Sequence, residues 1–410
     1  MLINNELSDQ IRRTANIFNW YAEMIEPLRN GVERGLPLEL EQLPLMTSRL
    51  LEKHYYSGDD PLGPRAGLSR YRTSGTSANR RKSIYYSKQD EERYIRIKTE
   101  VFADILRGFQ ARKAMADMGT GHAAATAETV FRTLGLEVET VSYTLPIERH
   151  LERLAAFRPD VLYTMPSILD RILMASPDPS VYGIRKVILV GEAASLSWLG
   201  QAAERLGLAP GDITDTYGSI EVGTIARYDH DLGRYLFTDG IFAEGLTARE
   251  AGEDEEHLAE DERVLVLTST VRDMFPVIRF VTYDVVRDFR PVIVNGEPRQ
   301  SFRSIVRRIG SELKHGEKIS IYDIENAVYR HIRNASIMVS AADNALTVQI
   351  FGDSATEEAL RAIRCDVADR IPEIGVMIRN GMLRDIRVVA CPFDDSVNRS
   401  AVKLKKIYRE

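Results

Sequence analysis

The stretch from Asp160 to Leu206 constrains the fold of this chain more than any other segment. Asp160-Val161-Leu162-Tyr163-Thr164 is a short apolar run that enters a proline turn and then a helix-length segment, Ser167 to Ala175. Lys186-Val187-Ile188-Leu189-Val190 repeats the pattern, ending at Gly191-Glu192-Ala193 before a second helical segment from Leu196 to Leu206. Short apolar runs bounded by turn signals fit buried strands, and their alternation with helices predicts α/β layers whose loops gather at strand ends. Asp215-Thr216-Tyr217-Gly218 is expected to form a further exposed loop of that kind.

On either side the pattern changes. The first 65 residues read as mainly helical scaffold. Lys82 to Tyr86 is a short strand, and Ser87 is a plausible N-cap with Asp90 three residues on, opening a helix whose apolar side carries Tyr94, Ile95, Ile97, Val101, Ile105 and Leu106. Val264 to Leu267 is a buried-strand candidate, and Pro276 to Phe280 begins another ordered segment. Arg290 to Arg303 contains two prolines, a glycine and many polar residues, and is expected to be an irregular connection. Its end is the expected domain boundary: 1–303 as a large domain of several subdomains, 304–410 as a small α+β cap. The cap should hold a helix near Asp323 to Ile332, a hairpin of Ser336 to Val339 and Ala345 to Phe351 turning at Asp343-Asn344, a helix near Ala355 to Ile371 and a strand from Ile386 to Ala390.

Composition narrows the functional classes. At 410 residues the chain exceeds a single core, and 44% hydrophobic with 28% charged residues is an ordinary globular balance. A formal charge of −6 offers no general attraction for nucleic acid. Two cysteines, Cys365 and Cys391, are too few for a disulfide scaffold or a four-cysteine metal site. With no apolar run of transmembrane length and no signal-peptide core after Met1, cytoplasmic residence is expected.

Three segments can carry chemistry. Thr73-Ser74-Gly75-Thr76-Ser77 is a hydroxyl-rich turn beside Arg80, Arg81 and Lys82; its N–H groups and hydroxyls can hold phosphate oxygens, although a solvated turn has the same composition, and the spacing is not that of a Walker P-loop. In Asp215-Thr216-Tyr217-Gly218-Ser219-Ile220-Glu221 the glycine permits a tight turn, Tyr217 offers a flat face to a base and Glu221 can bind magnesium; a surface loop with a packed tyrosine is the plain alternative. In Arg279-Phe280-Val281-Thr282-Tyr283-Asp284 the carboxylate of Asp284 suits a pair of ribose hydroxyls, or it simply pairs with an arginine.

The order and joint occurrence of these segments, together with Ala116-Asp117-Met118-Gly119-Thr120-Gly121, Tyr163-Thr164-Met165-Pro166-Ser167 and Gly191-Glu192-Ala193, resemble the adenylate-forming ligase superfamily, nearest its phenylacetate–coenzyme A ligase-like branch. The resemblance implies ATP-dependent activation of a small carboxylic acid, aromatic first, as acyl-AMP, followed by transfer to coenzyme A. An amine, an alcohol or a carrier-protein thiol is the alternative acceptor, and a non-enzymatic nucleotide-binding module the alternative class. It further implies that Ser74, Gly75, Thr76 and Ser77 surround the ATP phosphates, and that Gly191, Glu192, Tyr217 and Gly218 form the adenine side. Glu221 would support Mg2+, Asp284 hold the ribose, and Arg308, beside Arg307, contact the nucleotide. Met118, Gly119, Tyr163 and Met165 would line the acyl pocket, with Lys403 or Lys405 touching the carboxylate and α-phosphate. The expected fold is α/β with a small mobile α+β carboxy-terminal domain. A homodimer is left open, and neither nucleic acid nor membrane is expected as a partner.

The sequence also departs from the pattern. Ala78-Asn79-Arg80 replaces the glycine-lysine step, Tyr283 stands where a glycine precedes the ribose aspartate, and Ser311-Glu312-Leu313-Lys314 replaces the paired hinge aspartates. No cysteine lies between Asp284 and Gly310, so no zinc site is expected.

Overall fold

The computed structural model of the chain describes residues 3–33, 39–56, 62, 67–72, 82–118, 122–192, 194–254, 256–309, 321–333, 335–342, 345–352, 355–371, 374–375, 378, 383–392 and 407–408. It divides into two compact units, one of 1–102, 217–305 and 309–312, the other of 103–216, 306–308 and 313–410. No helix among the described residues is long and apolar enough to cross a membrane.

The second unit is built on parallel strands in the order Glu137–Ser142, Lys113–Met118, Val161–Thr164, Lys186–Val190 and the strand beginning at Ile213. The interior strands are buried almost end to end, as in sheets covered on both faces. Helices Pro166–Ala175 and Leu196–Leu206 follow their strands as expected. Ser195 caps the latter by accepting from the Trp198 N–H, and Gly207, at φ 70, ends it in the left-handed conformation glycine adopts freely. The strand-length alternation thus translated directly into structure.

The small α+β part of this unit pairs Ser336–Ala342 antiparallel with Ala345–Phe351, which runs parallel to Asp385–Cys391. Leu346, Val348 and Ile350 alternate inward, and Ile363 and Val367 form the buried side of helix Glu357–Arg370, which packs against strand Asp385–Cys391. The expected turn at 343–344 lies outside the described residues, and Ile407–Tyr408 adds a short parallel strand that sequence reading had missed. This part rests on the sheet's helices: Asp170 accepts from the Trp198 indole N–H (2.9 Å) through Oδ1 and from the Ser336 hydroxyl through Oδ2.

In the first unit, helices Asn5–Ile17 and Asn19–Glu33 interrupt at Phe18, and strands Ile241–Leu246, Glu262–Ser269 and Phe280–Arg287 form an antiparallel sheet. Ser87 and Asp90 make the expected reciprocal cap of helix Lys88–Ile105, each side chain accepting from the other's backbone N–H at 3.1 Å. The segment expected to be an irregular connection is instead a hairpin, Arg290–Val294 with Glu297–Phe302. Asn295 and Gly296, at φ 51 and 83, supply the two positive-φ residues of a tight hairpin turn. Pro291 is tolerated because its strand lies at the edge of its sheet, and Pro298 because, among the described residues, the second strand pairs with Arg234–Phe237 only through Ser301 and Phe302. Asp215 to Gly218, expected as an exposed loop, is likewise part of strand Ile213–Ser219, with Asp215 and Thr216 buried.

Lys98 is a buried cation in this unit, 2% exposed, with its ammonium 5.4 Å from the Tyr94 ring centroid and 5.5 Å from that of Phe102. Burial pushes its pKa down to about 7. Below pH 7 the amine is charged in both the folded and unfolded chain and its desolvation weighs fully on the fold. As pH rises from 7 toward its ordinary value, only the unfolded chain holds the proton, so stability climbs by at most ~1.4 kcal/mol per pH unit. Lys98→Met should therefore flatten the rise in stability between pH 7 and 9, as read by urea unfolding. An unchanged pH slope would mean that the amine stays charged where it is.

Candidate active site

The expected residues divide between the two units, and each set is coherent within its own. In the first unit, strand 280–287 pairs with 262–269 in a register that shifts between Val264 and Val266: Val285 faces Val264, whereas Val281 faces Val266. Residues 282–284 therefore form a bulge opposite Leu265. Bulges re-aim side chains out of the ladder. Thr282 closes this one, its hydroxyl donating to the Leu265 carbonyl (2.8 Å) and accepting from the Asp284 N–H (3.1 Å).

Tyr283 sits at φ 63 within the bulge. This explains why glycine would suit the position, since the left-handed conformation costs an ordinary residue about 1–2 kcal/mol. Here the tyrosine hydroxyl offsets that cost by accepting from both the N–H and the hydroxyl of Ser48 (3.1 and 3.2 Å), at the start of helix Ser48–His54.

Asp284 is left half-buried, and its Oδ2 accepts from the Tyr217 hydroxyl at 2.5 Å. The alternative pairing of this carboxylate with Arg279 is not what forms: Arg279 turns to Glu244 (2.8 Å) and to the carbonyls of Glu41 and Leu43. Gly218 follows Tyr217, and a Cβ there would stand 2.7 Å from the Gly223 carbonyl oxygen, so only glycine fits. Glu221 is half-buried in the turn beyond. Among the described residues its carboxylate takes no hydrogen bond or ion pair, while its backbone carbonyl accepts from Arg272 Nε at 3.1 Å.

A lone, unengaged carboxylate fits magnesium, which is held through one or two carboxylates with the substrate's phosphates supplying further oxygens. No group of three or more acidic, histidine or cysteine side chains that could cage a metal occurs among the described residues.

In the second unit the chain leaves strand 113–118 to one side for 137–142 and returns on the other side for 161–164. The strand order therefore reverses between 113–118 and 161–164. In open α/β sheets ligands bind beyond the carboxyl ends of the strands at such a switch point. Met118 ends one of these strands and Tyr163 and Met165 stand at the end of the other, with Ala116 and Tyr163 in register. All three side chains are buried, and Tyr163 also packs edge-on against Phe131.

Gly191, at φ 84, follows the next strand, and a Cβ on it would touch the Met165 side chain at 3.9 Å. Glu192 caps helix 166–175 from a distance: its two carboxylate oxygens accept from the N–H (2.8 Å) and the hydroxyl (2.9 Å) of Ser167. The structure thus brings Gly191 and Glu192 onto the Met165–Ser167 segment. Arg308 is exposed and Arg307 half-buried at the end of strand Ser304–Arg308. Ser74, Gly75, Thr76, Ser77, Gly119, Lys403 and Lys405 lie outside the described residues.

Sequence reading passed over one buried pair at this sheet end. Asp117 and His150 are fully buried, with Oδ2 and Nδ1 2.7 Å apart. His150 Nε2 lies 3.2 Å from the Leu145 carbonyl, which only accepts, so that nitrogen carries a proton. Burial pushes the Asp117 carboxyl up, against the lowering pull of His150 and Arg171. The pair ties the residue before Met118 to helix Ile147–Phe157. Its only sequence signal was a lone acid inside an apolar strand.

Solved structures of similar fold include a 2-hydroxyisobutyryl-CoA ligase in the postadenylation state, at TM-score 0.73 and 15% identity, covering 99% of this chain and 88% of that one. An anthranilate CoA ligase in complex with anthranoyl-AMP matches at TM-score 0.53 and 15% identity, over 78% of this chain and 63% of that one. At such identities the fold alone is established: a mixed α/β adenylate-forming ligase architecture with a large amino-terminal and a small carboxy-terminal domain. Residues 314–394 match a family model described as the fumarate–diaminopropanoate ligase C-terminal domain. The fumarate–(S)-2,3-diaminopropanoate ligase of Enterobacter agglomerans is 34% identical over 385 residues, covering 94% of each chain. The chain belongs to the adenylate-forming ligase superfamily, and within it to the family of that fumarate–diaminopropanoate ligase.

Proposed function

We propose that this enzyme activates a short dicarboxylic acid, fumarate foremost, as its acyl-adenylate and passes the acyl group to the amine of 2,3-diaminopropanoate or a close analogue. The observation that carries this reading is the 34% identity sustained over 94% of both chains. It replaces coenzyme A, the acceptor implied by the motif resemblance, with an amine, and an aromatic acid with a dicarboxylic one.

In this reading an acid oxygen attacks the α-phosphorus, the bond from that phosphorus to the bridging oxygen breaks, and pyrophosphate leaves. The acceptor nitrogen then attacks the acyl carbon, AMP leaves, and the nitrogen gives up a proton. The Asp284 oxygen not engaged by Tyr217 would take the ribose hydroxyls, the Tyr217 ring and Gly218 would face the base, and Gly191 and Glu192 are proposed as further nucleotide contacts. Glu221 would hold magnesium, which when bound offsets charge on the leaving phosphates. Met118, Gly119, Tyr163 and Met165 would shape the acyl side. Ser74, Gly75, Thr76, Ser77 and Arg308 would meet the phosphates and nucleotide, and Lys403 or Lys405 the reacting carboxylate. A division into 1–303 and 304–410 belongs to the same proposal.

The test is acid-dependent ATP–pyrophosphate exchange across a panel, followed by mass analysis of products with each acceptor. Fumarate should exceed phenylacetate and benzoate by ~10-fold or more, the low end of what a mismatch in pocket size alone discriminates. The amide should form with diaminopropanoate, and no thioester with coenzyme A. A thioester without amide would return the acceptor to a thiol, exchange with aromatic acids alone would overturn the acid, and exchange with none would make this a binding module.

A further inference from the structure

We infer that Arg272, with Tyr86, is a positioning residue that fixes the turn carrying Glu221, and so sets the enzyme's response to magnesium. The inference rests on the reading of Glu221 as the magnesium carboxylate. It begins from the environment of Arg272, which is 2% exposed in the first unit and far in sequence from the groups it touches.

Every arm of its guanidinium is used. Nε donates to the Glu221 carbonyl (3.1 Å), Nη1 to Asp90 Oδ2 (2.6 Å) and Nη2 to the Tyr85 carbonyl (2.5 Å). Its plane lies over the Tyr86 ring, 3.6 Å from Cζ to centroid. The Tyr86 hydroxyl in turn donates to the Ile220 carbonyl (2.7 Å). Two consecutive carbonyls of the turn, Ile220 and Glu221, are therefore gripped by two side chains that stack on each other. Ser219 Oγ completes the turn by accepting from the Val222 N–H (3.3 Å). The backbone of Glu221 is thus held from three sides while no described residue engages its carboxylate. That is the arrangement expected of a metal ligand whose outer partners orient it without competing for its oxygens.

The planar fork matters. A lysine could keep the charge opposite Asp90, but one ammonium cannot reach Asp90, Tyr85 and Glu221 in the same geometry. The grip also reaches strand Ser83–Tyr86, the next element in sequence after the expected phosphate-binding hydroxyls.

Three single variants test this: Arg272→Lys, Tyr86→Phe and, as the reference, Glu221→Gln. Tyr86→Phe keeps the ring under the guanidinium and deletes only the hydroxyl, so it tests the grip even if Arg272→Lys folds poorly. Half-saturating Mg2+ for exchange is measured alongside the KM for acid, and ATP affinity is measured calorimetrically with Mg2+ and with EDTA. Arg272→Lys should raise half-saturating Mg2+ about 10-fold, as loss of an outer-shell partner does, and Tyr86→Phe by a smaller factor. Acid KM and ATP affinity in EDTA should stay at wild-type values, while the gain in ATP affinity from Mg2+ shrinks. If Glu221→Gln shifts the Mg2+ response and both other variants leave it alone, Arg272 is structural only and the inference fails. If Glu221→Gln itself leaves the response unchanged, the reading of Glu221 fails and the inference falls with it. Parallel losses in acid KM, EDTA-state ATP affinity and Mg2+ response would assign Arg272 to folding at large, which also overturns it.

Discussion

Asp284→Ala is expected to lower kcat/KM for ATP in the exchange reaction by about 100-fold while acid KM changes little. Two hydrogen bonds from ribose hydroxyls to a carboxylate would be lost, each of the charged kind that contributes roughly 1.5–3 kcal/mol, so a 100-fold loss is a conservative sum. Asp284→Asn keeps one acceptor oxygen and should lose about 10-fold by the same reasoning. The fold should survive both changes, because the side chain is half-buried and the bulge is closed by Thr282, not by the carboxylate. ATP kinetics at wild-type values in a folded Asp284→Ala protein would remove the ribose role altogether.

The largest effect on stability is expected at Asp90. It is 1% exposed and opposes the buried Arg272, and it also accepts from the N–H groups of Asp273 (2.7 Å), Met274 (3.1 Å) and Ser87 (3.1 Å). Asp90→Ala strands a buried guanidinium and three backbone donors together, and breaking a buried pair from one side costs roughly 3–5 kcal/mol. Asp90→Ala combined with Arg272→Met should recover a good part of that loss, because the pair's desolvation disappears with its attraction. Urea unfolding of the single and double variants measures the difference. Equal stability of the two would show that the stranded N–H groups, not the guanidinium, carry the cost.

What could be read from the sequence follows the range of the interactions involved. Strand 186–190 and helix 196–206 were legible to the residue, because Gly191, Ser195 and Gly207 mark their ends locally. The hairpin at 290–302 is hidden in the sequence because its prolines look like breakers, although Asn295-Gly296 carries the turn signal; only the sheet reveals that the first strand is an edge. Ile213–Ser219 was misread for a related reason, since glycine and aspartate in a strand are justified by the close approach of Gly223 and by a buried neighbourhood.

At the proposed site, Tyr217, Glu221 and Asp284 each stand out in a motif, but the structural arrangement around them does not. The bulge that aims Asp284 depends on a register shift against a strand some twenty residues earlier in the chain. The choice of Glu244 over Asp284 as partner of Arg279, and of Asp90 as partner of Arg272, spans 35 and 182 positions. Local patterns cannot encode such choices; they are settled by which buried charge finds a buried counter-charge once the sheet has closed.

Trp198 and Trp20 are the chain's two tryptophans. Trp20 stacks on His54 in the first unit, with ring centroids 4.9 Å apart. The indole of Trp198 shares the Asp170 carboxylate with Ser336, the first residue of the small domain's hairpin. The enzyme therefore carries its own fluorescent gauge. With Trp20 replaced by phenylalanine, the emission of one native side chain would follow, turnover by turnover and without a label, whether that hairpin is seated on its helix or has let go.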